Sequence, residues 1–285
     1  MIDLHIHTTY SDGTDSPEAL LAEVREAGLS LFSVTDHDGI DGMLQVMEAL
    51  APGDPAFLTG VEFSCKDEKG KYHILGYGFD PESEDILRVI RLGHEYRMKK
   101  QETRLRRLQE EFGFRFPEEK VEEILALDNP GKPHVANLMM EFGYAKTKEE
   151  AIKEYIDRLK FKSDYVRPEE AIRGIIAAGG IPILAHPVFG DGSQLIDSGE
   201  LADRIARLKE AGLAGVEGYY ERYTDRQQQE ILTLAEEHDL YVTAGSDYHG
   251  GNKNVKLGDT GLETGGDNLP AGLKRFLDDV NAIQK

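Results

Sequence analysis

Short motifs that pair histidine with acidic residues recur along the whole chain and suggest its chemistry. The motifs are Asp-Leu-His-Ile-His at 3–7, Asp-His-Asp at 36–38, Ala-His-Pro at 185–187 and Asp-Tyr-His at 247–249, and His73 follows Glu62. Residues i and i+2 of a strand face the same way, so we expect His5 and His7 to present two imidazoles to one side. A single histidine is more often a surface or core residue, but this set favours a site for several metal ions.

Each motif follows a segment with the character of a short strand, and helix signals alternate with these strands. Ser16 as N-cap and Pro17 at the first helical position begin one such helix, which should end at Gly28. Strands are predicted at 2–7, 31–35, 56–64, 71–78, 181–185, 215–218 and 240–244. This alternation favours an α/β fold with a parallel sheet, in which the motifs would meet at one end.

One stretch departs from the alternation. The pattern predicts a long charged helix over 85–112, followed by Pro117 and shorter helices with caps near Asn129 and Thr147. The expected parts are a metal-binding barrel of residues 1–84 and 166–285 and a helical insertion subdomain of residues 85–165 that covers the active site.

The formal net charge of -20 argues against docking on duplex nucleic acid, because phosphate backbones are held by clustered lysine and arginine. Basic residues gather between Arg97 and Arg107, so a small anion, or a strand guided along this helix, stays possible. The alternative is a solvated helix with pairs such as Glu102 with Arg106.

A single cysteine, Cys65, excludes an intrachain disulfide and fits a reducing cytoplasm. Cys65 is either a soft metal ligand near Glu62 or a buried apolar thiol. The first residues have no signal-peptide pattern and no run reaches membrane-spanning length, so we expect a cytoplasmic protein without a membrane partner.

Five motifs in their order resemble the polymerase and histidinol phosphatase (PHP) family. They are Asp-Leu-His-Ile-His-Thr at 3–8 with Ser-Asp-Gly at 11–13, Thr-Asp-His-Asp at 35–38, Gly-Val-Glu at 60–62, Ala-His-Pro at 185–187 and Gly-Ser-Asp-Tyr-His at 245–249. The resemblance implies a distorted (β/α)7 barrel and a metal-dependent phosphoric ester hydrolase. The strand–helix alternation alone would not distinguish seven strands from eight.

The resemblance also implies ligands for two to three divalent ions. The first ion would be bound by His5, His7, Glu62 and Asp247, the second by Glu62, His73 and His186, and the third by Asp12, His37 and His249. Glu62 would bridge the first two, and carboxylate with imidazole suits Mn, Fe or Zn. Asp36 and Asp38 would orient neighbouring imidazoles, although helix capping by Asp38 is an equal alternative.

In such a site a metal-bridging hydroxide would attack phosphorus in line, with Glu62, Asp247 and His249 as the catalytic residues. The segments 131–136 and 73–77 resemble a branch that acts on nucleotides, whose members include 3',5'-nucleotide bisphosphate phosphatases and a 5'-3' exoribonuclease. Residues 159–166 depart from that branch, which has a Gly/Pro-containing loop before its Tyr-Val pair. The departure concerns substrate contacts and leaves the metal ligands intact.

Arg222, Lys132 and His134 are candidate phosphate contacts, since Arg222 follows a strand end and the other two lie in the insertion. Each could equally be an exposed or helix-capping residue. A group of tyrosines could stack on a base, although packing is the commoner role of such residues; these are Tyr219, Tyr220 and Tyr223.

The expected partner is a small phosphorylated nucleotide, and the expected reaction is phosphate release from 3',5'-bisphosphonucleotides. The first alternative is a 5'-3' exoribonuclease that takes a short RNA 5' end. An amidohydrolase-type C–N hydrolase also begins with His-X-His, but its metals are commonly bridged by a modified lysine. A non-enzymatic, metal-stabilised module is disfavoured because no ligand position is missing.

Overall fold

The structure is a computed structural model that describes residues 1–192, 194–262 and 269–283. Within these ranges, strands and helices alternate as an α/β fold. The strands are β1 Ile2–Asp3, β2 Leu31–Ser33, β3 Ala56–Leu58, β4 Gly60–Asp67, β5 Gly70–Tyr77, β6 Ile181–Leu184, β7 Gly215–Tyr220 and β8 Tyr241–Gly245. The helices are α1 Pro17–Ala27, α2 Asp41–Ala49, α3 Glu84–Phe112, α4 Glu118–Leu125, α5 Lys132–Glu141, α6 Lys148–Glu150, α7 Pro168–Ala177, α8 Ser198–Glu210, α9 Asp225–Glu237 and α10 Ala271–Ile283.

The strands form two sheets, β1-β2-β3 and β4-β5-β6-β7-β8. Two parallel bridges link the sheets, Ile6 beside Tyr248 and His37 beside Glu62. The mixed α/β class is therefore confirmed. The described strands form two separate sheets and not one closed hydrogen-bonded barrel, so the seven-stranded barrel stays a prediction.

The expectation of a parallel sheet does not hold at β5, which runs antiparallel to both β4 and β6. The turn between β4 and β5 contains only two residues, Glu68 and Lys69, and a connection this short can join only antiparallel neighbours. The strand expected over 56–64 is also two strands. They separate at Thr59, and β3 pairs with β2 while β4 pairs with β5.

Helix α1 follows its sequence signals closely. The Ser16 side chain accepts a hydrogen bond from the N–H of Ala19, and Gly28 ends the helix with a left-handed φ of 68°. Thr147 caps the short helix α6 in the same manner, because its side chain accepts a hydrogen bond from the N–H of Glu150. Asn129 is not a cap, because α5 begins after Gly131.

Three apolar cores are packed among the described residues. The large core packs around the sheets, another lies around Tyr77 and Phe276, and the small core is built from residues of 105–159, within the predicted insertion. Helix α3 belongs to the large core and to the small core, since Ile86 and Val89 pack in the large one while Leu105 and Leu108 pack in the small one. The long helix predicted from the charged pattern therefore connects these two cores. Among the helices described, none has the length and apolar character that crossing a bilayer requires.

Candidate metal centre

The histidine–acid motifs converge where the parallel strands end. His5 and His7 follow β1, His37 follows β2, and His186 follows β6, so that chain direction brings them to one edge. Asp12 lies in the loop after β1, and Asp247 and His249 follow β8. His73 arrives differently: it lies within the reversed strand β5, opposite Ser64, and thus faces the same side of the hairpin as Glu62.

Glu62 lies at the centre of this cluster and is 1% exposed. Five imidazoles surround its carboxylate. Oε1 lies 2.8 Å from Nδ1 of His73, 3.3 Å from Nε2 of His5 and 3.3 Å from Nε2 of His186; Oε2 lies 2.9 Å from Nδ1 of His37 and 3.3 Å from Nε2 of His7. A carboxylate shared in this way has the geometry expected of a bridging ligand.

Asp247 approaches the first two imidazoles from the other side. Its Oδ1 lies 3.6 Å from Nε2 of His5 and 3.4 Å from Nε2 of His7. Its Oδ2 accepts a hydrogen bond of 2.9 Å from the Tyr220 hydroxyl and another from Nζ of Lys253. One oxygen of Asp247 is therefore held by donors while the other remains directed at the imidazoles.

Asp12 forms the third corner. Its Oδ1 lies 3.2 Å from Nε2 of His249, 3.8 Å from Nε2 of His37 and 3.9 Å from Nδ1 of His7. The structure thus brings together all nine residues predicted to bind metal. Four overlapping groups of them could hold an ion: His7, Asp12, His37 and His249; His5, Glu62 and His186; His5, His7 and Asp247; and His37, Glu62 and His73. The groups share members, so the division into three particular ligand sets stays a prediction.

Several nitrogen and oxygen atoms that could ligate a metal are buried in the cluster without a hydrogen bond of good geometry to any residue described. They are Nε2 of His5, Nε2 of His7, Oδ1 of Asp12, Nδ1 of His37, Oε2 of Glu62 and Nδ1 of His186. An orphaned buried polar atom costs about 1–3 kcal/mol. Divalent cations would satisfy most of these atoms, and imidazole with carboxylate is a donor set for Mn, Fe or Zn. The residues present therefore fit a multinuclear metal centre.

The electrostatics hold the carboxylates and one imidazole in the forms that bind metal. At His7, however, burial is outweighed by the carboxylates of Asp247 and Glu62, which raise the pKa of the imidazole to about 9, so His7 would release a proton on binding. Burial by itself would raise the pKa of Glu62, but His73, His37 and His5 outweigh burial and hold that pKa well below its ordinary value. Burial likewise opposes ionisation of Asp247, and Lys253 and His5 overcome it and lower the pKa. In contrast, burial lowers the pKa of His37 to about 3. Ionised carboxylates and a neutral imidazole are the forms that ligate metals.

Two site residues have a backbone conformation that side chains rarely adopt. His186 has a φ of 26° and Asp247 a φ of 56°. Strain of this kind costs about 1–3 kcal/mol for each residue and persists where the surroundings enforce it, commonly at functional sites. The strain here aims an imidazole and a carboxylate into the cluster.

Glu217 and Lys253 were not predicted from the sequence. Glu217 is fully buried; its Oε1 lies 2.9 Å from Nδ1 of His5, and its Oε2 accepts a 2.8 Å hydrogen bond from the N–H of His186. A carboxylate inside the otherwise uncharged strand β7 was a signal that could have revealed it. Lys253, beyond the last motif, had no comparable signal.

Asp36 and Asp38 differ from each other. Asp36 accepts from the hydroxyl of Ser11, which lies 3.3 Å from Nδ1 of His7, so Asp36 reaches an imidazole only through that serine. Asp38 instead accepts 2.8 Å hydrogen bonds from Nε of Arg97 and from the N–H of Ser64. Both roles expected for Asp38 are therefore wrong, because its acceptors are used to anchor α3 and β4.

A pocket of about 440 Å³ opens over the cluster. Lys132 and Arg222 line it; Nζ of Lys132 lies 2.7 Å from Oδ1 of Asp157, and the Arg222 guanidinium stacks on Phe189. His134 is not among the lining residues described, and its Nδ1 accepts a 3.0 Å hydrogen bond from the N–H of Gly131. That bond supports the start of α5. Substrate binding by these three residues stays a prediction.

The three tyrosines of strand β7 and the loop after it are largely packed. Tyr219 is 8% exposed and Tyr220 1%, and the Tyr223 hydroxyl donates to the carbonyl of Glu217 at 3.1 Å. Packing is the alternative that the structure favours. Cys65 is likewise buried in the large core and belongs to none of the possible ligand groups found in the described ranges.

Known proteins are similar to this chain in sequence and in fold. A family model described as PHP domain matches residues 3–166. A phosphoribosyl 1,2-cyclic phosphate 1,2-diphosphodiesterase of Eggerthella lenta is 30% identical over 87% of this chain and 94% of its own length. A 3',5'-nucleoside bisphosphate phosphatase of Chromobacterium violaceum is 28% identical over 87% of both chains.

Two further matches extend the comparison. A 5'-3' exoribonuclease Rnm of Salmonella typhimurium is 29% identical over 90% of this chain and 87% of its own. The solved structure of a protein from Bifidobacterium adolescentis, described as a candidate metal-dependent phosphoesterase, superposes with a TM-score of 0.83 at 25% identity and covers 99% of this chain and 96% of its own. The names of these three curated relatives each describe the cleavage of a phosphate ester.

Proposed function

The chain belongs to the PHP domain family, and on that premise we propose that it is a metal-dependent phosphoesterase that releases phosphate from small nucleotides such as 3',5'-bisphosphonucleotides. The observation that best supports this proposal is that Glu62 is buried and surrounded by five imidazoles. Several nitrogen and oxygen atoms around it are buried without a hydrogen-bond partner. This arrangement suits a carboxylate that bridges two cations.

We propose the ligand sets that the family resemblance implies. The first set is His5, His7, Glu62 and Asp247, the second is Glu62, His73 and His186, and the third is Asp12, His37 and His249. Bound divalent cations activate water near neutral pH and polarise phosphoryl oxygens. The chain's own contribution is to fix the positions of these metal-binding side chains.

The residues around the ligands fix their orientation. Glu217 holds Nδ1 of His5, which leaves Nε2 directed at Glu62 and Asp247. Tyr220 and Lys253 hold the outer oxygen of Asp247. His249, whose Nδ1 lies 2.8 Å from the carbonyl of Asp247, directs Nε2 toward Asp12, and where no third cation is bound by Nε2 this nitrogen could move a proton to the leaving group. We retain Glu62, Asp247 and His249 as the proposed catalytic residues.

The pocket supports a small anionic substrate. Its volume falls within the range of about 300–1,000 Å³ typical of small-molecule sites. Nine lysine and arginine side chains line it against four carboxylates, although the chain as a whole has a net charge of -20. The local excess of positive charge would concentrate a phosphorylated ligand at the site.

A 5'-3' exoribonuclease is the second candidate, because the same basic lining could hold the 5' end of a short RNA. A C–N hydrolase is less well supported, since Glu62 lies at the centre of the imidazoles, in the place where the metals of such enzymes are commonly bridged by a modified lysine. We further propose that residues 1–84 and 166–285 form a distorted (β/α)7 barrel and that residues 85–165 cover its active site. The separate small core over 105–159 supports that division.

The test compares two reactions of the purified protein loaded with Mn, Fe or Zn. We expect phosphate release from a 3',5'-bisphosphonucleotide to exceed mononucleotide release from a 5'-phosphorylated oligoribonucleotide, and chelation to abolish both. The reverse ranking would favour the exoribonuclease. Ammonia release from amide substrates, or turnover that survives thorough chelation, would overturn the phosphoesterase proposal.

A further inference from the structure

Asn252 joins the two loops that supply two of the ligands proposed for the third cation. It lies three residues after His249, in the short turn Gly250–Asn252, and its N–H donates to the carbonyl of His249 at 3.2 Å. Its side-chain Nδ2 donates to the backbone carbonyl of Asp12 at 2.6 Å. One residue therefore connects the backbones of two candidate ligands, whose side chains approach to 3.2 Å between Oδ1 of Asp12 and Nε2 of His249.

The other polar atom of the Asn252 side chain connects these loops to the helical insertion. Its Oδ1 accepts a hydrogen bond from Nζ of Lys148, the first residue of α6. An ammonium only donates and a carbonyl only accepts, so the two partners fix the orientation of the amide. A carboxylate in its place could accept from Lys148 but could not donate to Asp12.

Further contacts hold the same part of the site. The N–H of Gly251 donates to Oγ1 of Thr14 at 2.8 Å, beside the bond from Asn252 to Asp12. A Cβ at Gly131 would lie 2.7 Å from Oδ2 of Asp12, so the backbone just before α5 packs directly against this carboxylate. The insertion therefore reaches Asp12 at its side chain, and through Asn252 at its backbone.

The first ligand set is supported differently. The side chains that hold its members in the described structure lie outside the insertion, and they are Glu217, Tyr220 and Lys253. Lys148 and Gly131 lie inside the insertion and contact the third set. Loosening the insertion at Asn252 should therefore affect the third cation and leave the first two in place.

We propose that Asn252, held by Lys148, is a positioning residue that keeps Asp12 and His249 in the arrangement that binds the third cation. Functional side chains must be held to within about 0.5 Å of their working geometry, and Asn252 fixes the backbone of both ligands. Retention of the third cation then depends on the contact between the insertion and this loop. The inference rests on the proposed ligand sets and gives the insertion a role in metal binding.

The charge of Lys148 makes the direction of the effect informative. Like charges repel, so the ammonium by itself disfavours a cation in the same pocket, and its removal would tighten metal binding if charge alone mattered. Loss of a positioning contact has the opposite sign and weakens metal binding. Lys148→Met separates the two effects because it removes the charge and the contact together.

The experiment follows the loss of Mn²⁺ from the loaded protein. Each protein is dialysed against buffers of decreasing free Mn²⁺, and the bound ions per chain are counted by elemental analysis. The variants are Asn252→Ala and Lys148→Met. Their matched controls are Asn254→Ala, exposed in the same loop, and Lys146→Met, exposed just before α6. Phosphate release from adenosine 3',5'-bisphosphate is measured on the same samples.

We expect the wild type and both controls to retain three Mn²⁺ at high free Mn²⁺. Both variants should lose the third ion at a free Mn²⁺ concentration at least about tenfold higher than the wild type does, with the other two ions unchanged. A general folding defect would release all the ions together and would overturn the inference.

Three further results would also overturn it: retention equal to that of the controls, unchanged or tighter retention by Lys148→Met, and a wild type that binds only two ions. If the wild type retains three ions but releases no phosphate, the proposed function is in question. The ion counts of the variants still decide the role of Asn252 in that case.

Discussion

Oε1 of Glu217 lies 2.9 Å from Nδ1 of His5, and both side chains are completely buried. The other oxygen of Glu217 accepts from the backbone N–H of His186, so one carboxylate positions two candidate ligands that follow different strands. A partner that holds the second nitrogen of a metal-binding imidazole fixes the tautomer and the ring orientation. Glu217 is thus a positioning residue of the proposed centre.

We predict that Glu217→Gln weakens metal binding by about 10- to 100-fold, the usual effect of losing such a partner. Metal content after dialysis against graded chelator measures the change. Glu221→Gln, an exposed residue just beyond the same strand, is the matched control. Equal metal retention by Glu217→Gln and the control would show that the Glu217–His5 contact has no such role.

Substitution of Glu62 should be far more severe. Glu62→Gln keeps the size of the side chain but removes the negative charge that five imidazoles surround. Loss of a bridging carboxylate should cost several kcal/mol of transition-state stabilisation, and we therefore expect phosphate release to fall about a thousandfold.

The rate measurement is made beside Glu68→Gln, whose carboxylate pairs with Arg167 at the surface. Turnover of Glu62→Gln within tenfold of that control would be incompatible with a bridging role.

The Asp38–Arg97 pair should make the free energy of unfolding depend on pH in the acid range. Burial would raise the pKa of Asp38, but Arg97 and His37 lower it overall, below the ordinary value of 3.8. A depressed pKa contributes stability that is fully present above the unfolded pKa and is lost as the pH falls through the folded pKa. We expect Asp38→Asn to reduce the free energy of unfolding at pH 7 by about 3 kcal/mol, because Arg97 is left buried and unpaired.

Urea unfolding at pH 7 and pH 3 tests this contribution. The difference between wild type and Asp38→Asn should narrow at the lower pH, while Asp164→Asn, which removes an exposed partner of Lys99, should follow the wild type at both. A difference that does not change with pH would contradict the assignment.

The small core should contribute its own share of stability. Leu108 on α3 is fully buried there, and Leu108→Ala should reduce the free energy of unfolding by about 2–5 kcal/mol. Ile176→Ala removes a similar side chain that is 46% exposed and should cost less than about 1 kcal/mol. Denaturant titration of both variants decides whether residues 105–159 form a packed core or a loose cover.

The sequence predicted most of the metal centre because strand direction does the positioning. Every motif that follows a parallel strand, such as those around His5 and His186, was placed at the correct edge from the alternation alone. The resemblance to the PHP family is confirmed, and it supplied Glu62 and His73 together. Their side-by-side placement depends on the reversal of β5, which the sequence shows only as a short polar turn.

The inward-facing cations of α3 were harder to predict. A solvated helix was one of two interpretations of the sequence, yet Arg97 and Arg104 are buried, and Arg106 pairs with Glu110 and not with Glu102. Residue types alone do not say which charges face inward on a helix with charges on all sides. The buried stripe was detectable only by extending the spacing of Ile86 and Val89 along the helix, where polar residues continue it.

Helix α3 runs without interruption from the large core into the small one. A continuous helix of 29 residues is stiff, so α3 holds the pocket-lining residues of the small core at a fixed distance from the part of the chain that carries the ligands. An outward movement of the small core would require α3 to bend or its buried residues to unpack. We therefore expect ligands to enter and leave the pocket without a large movement of α3.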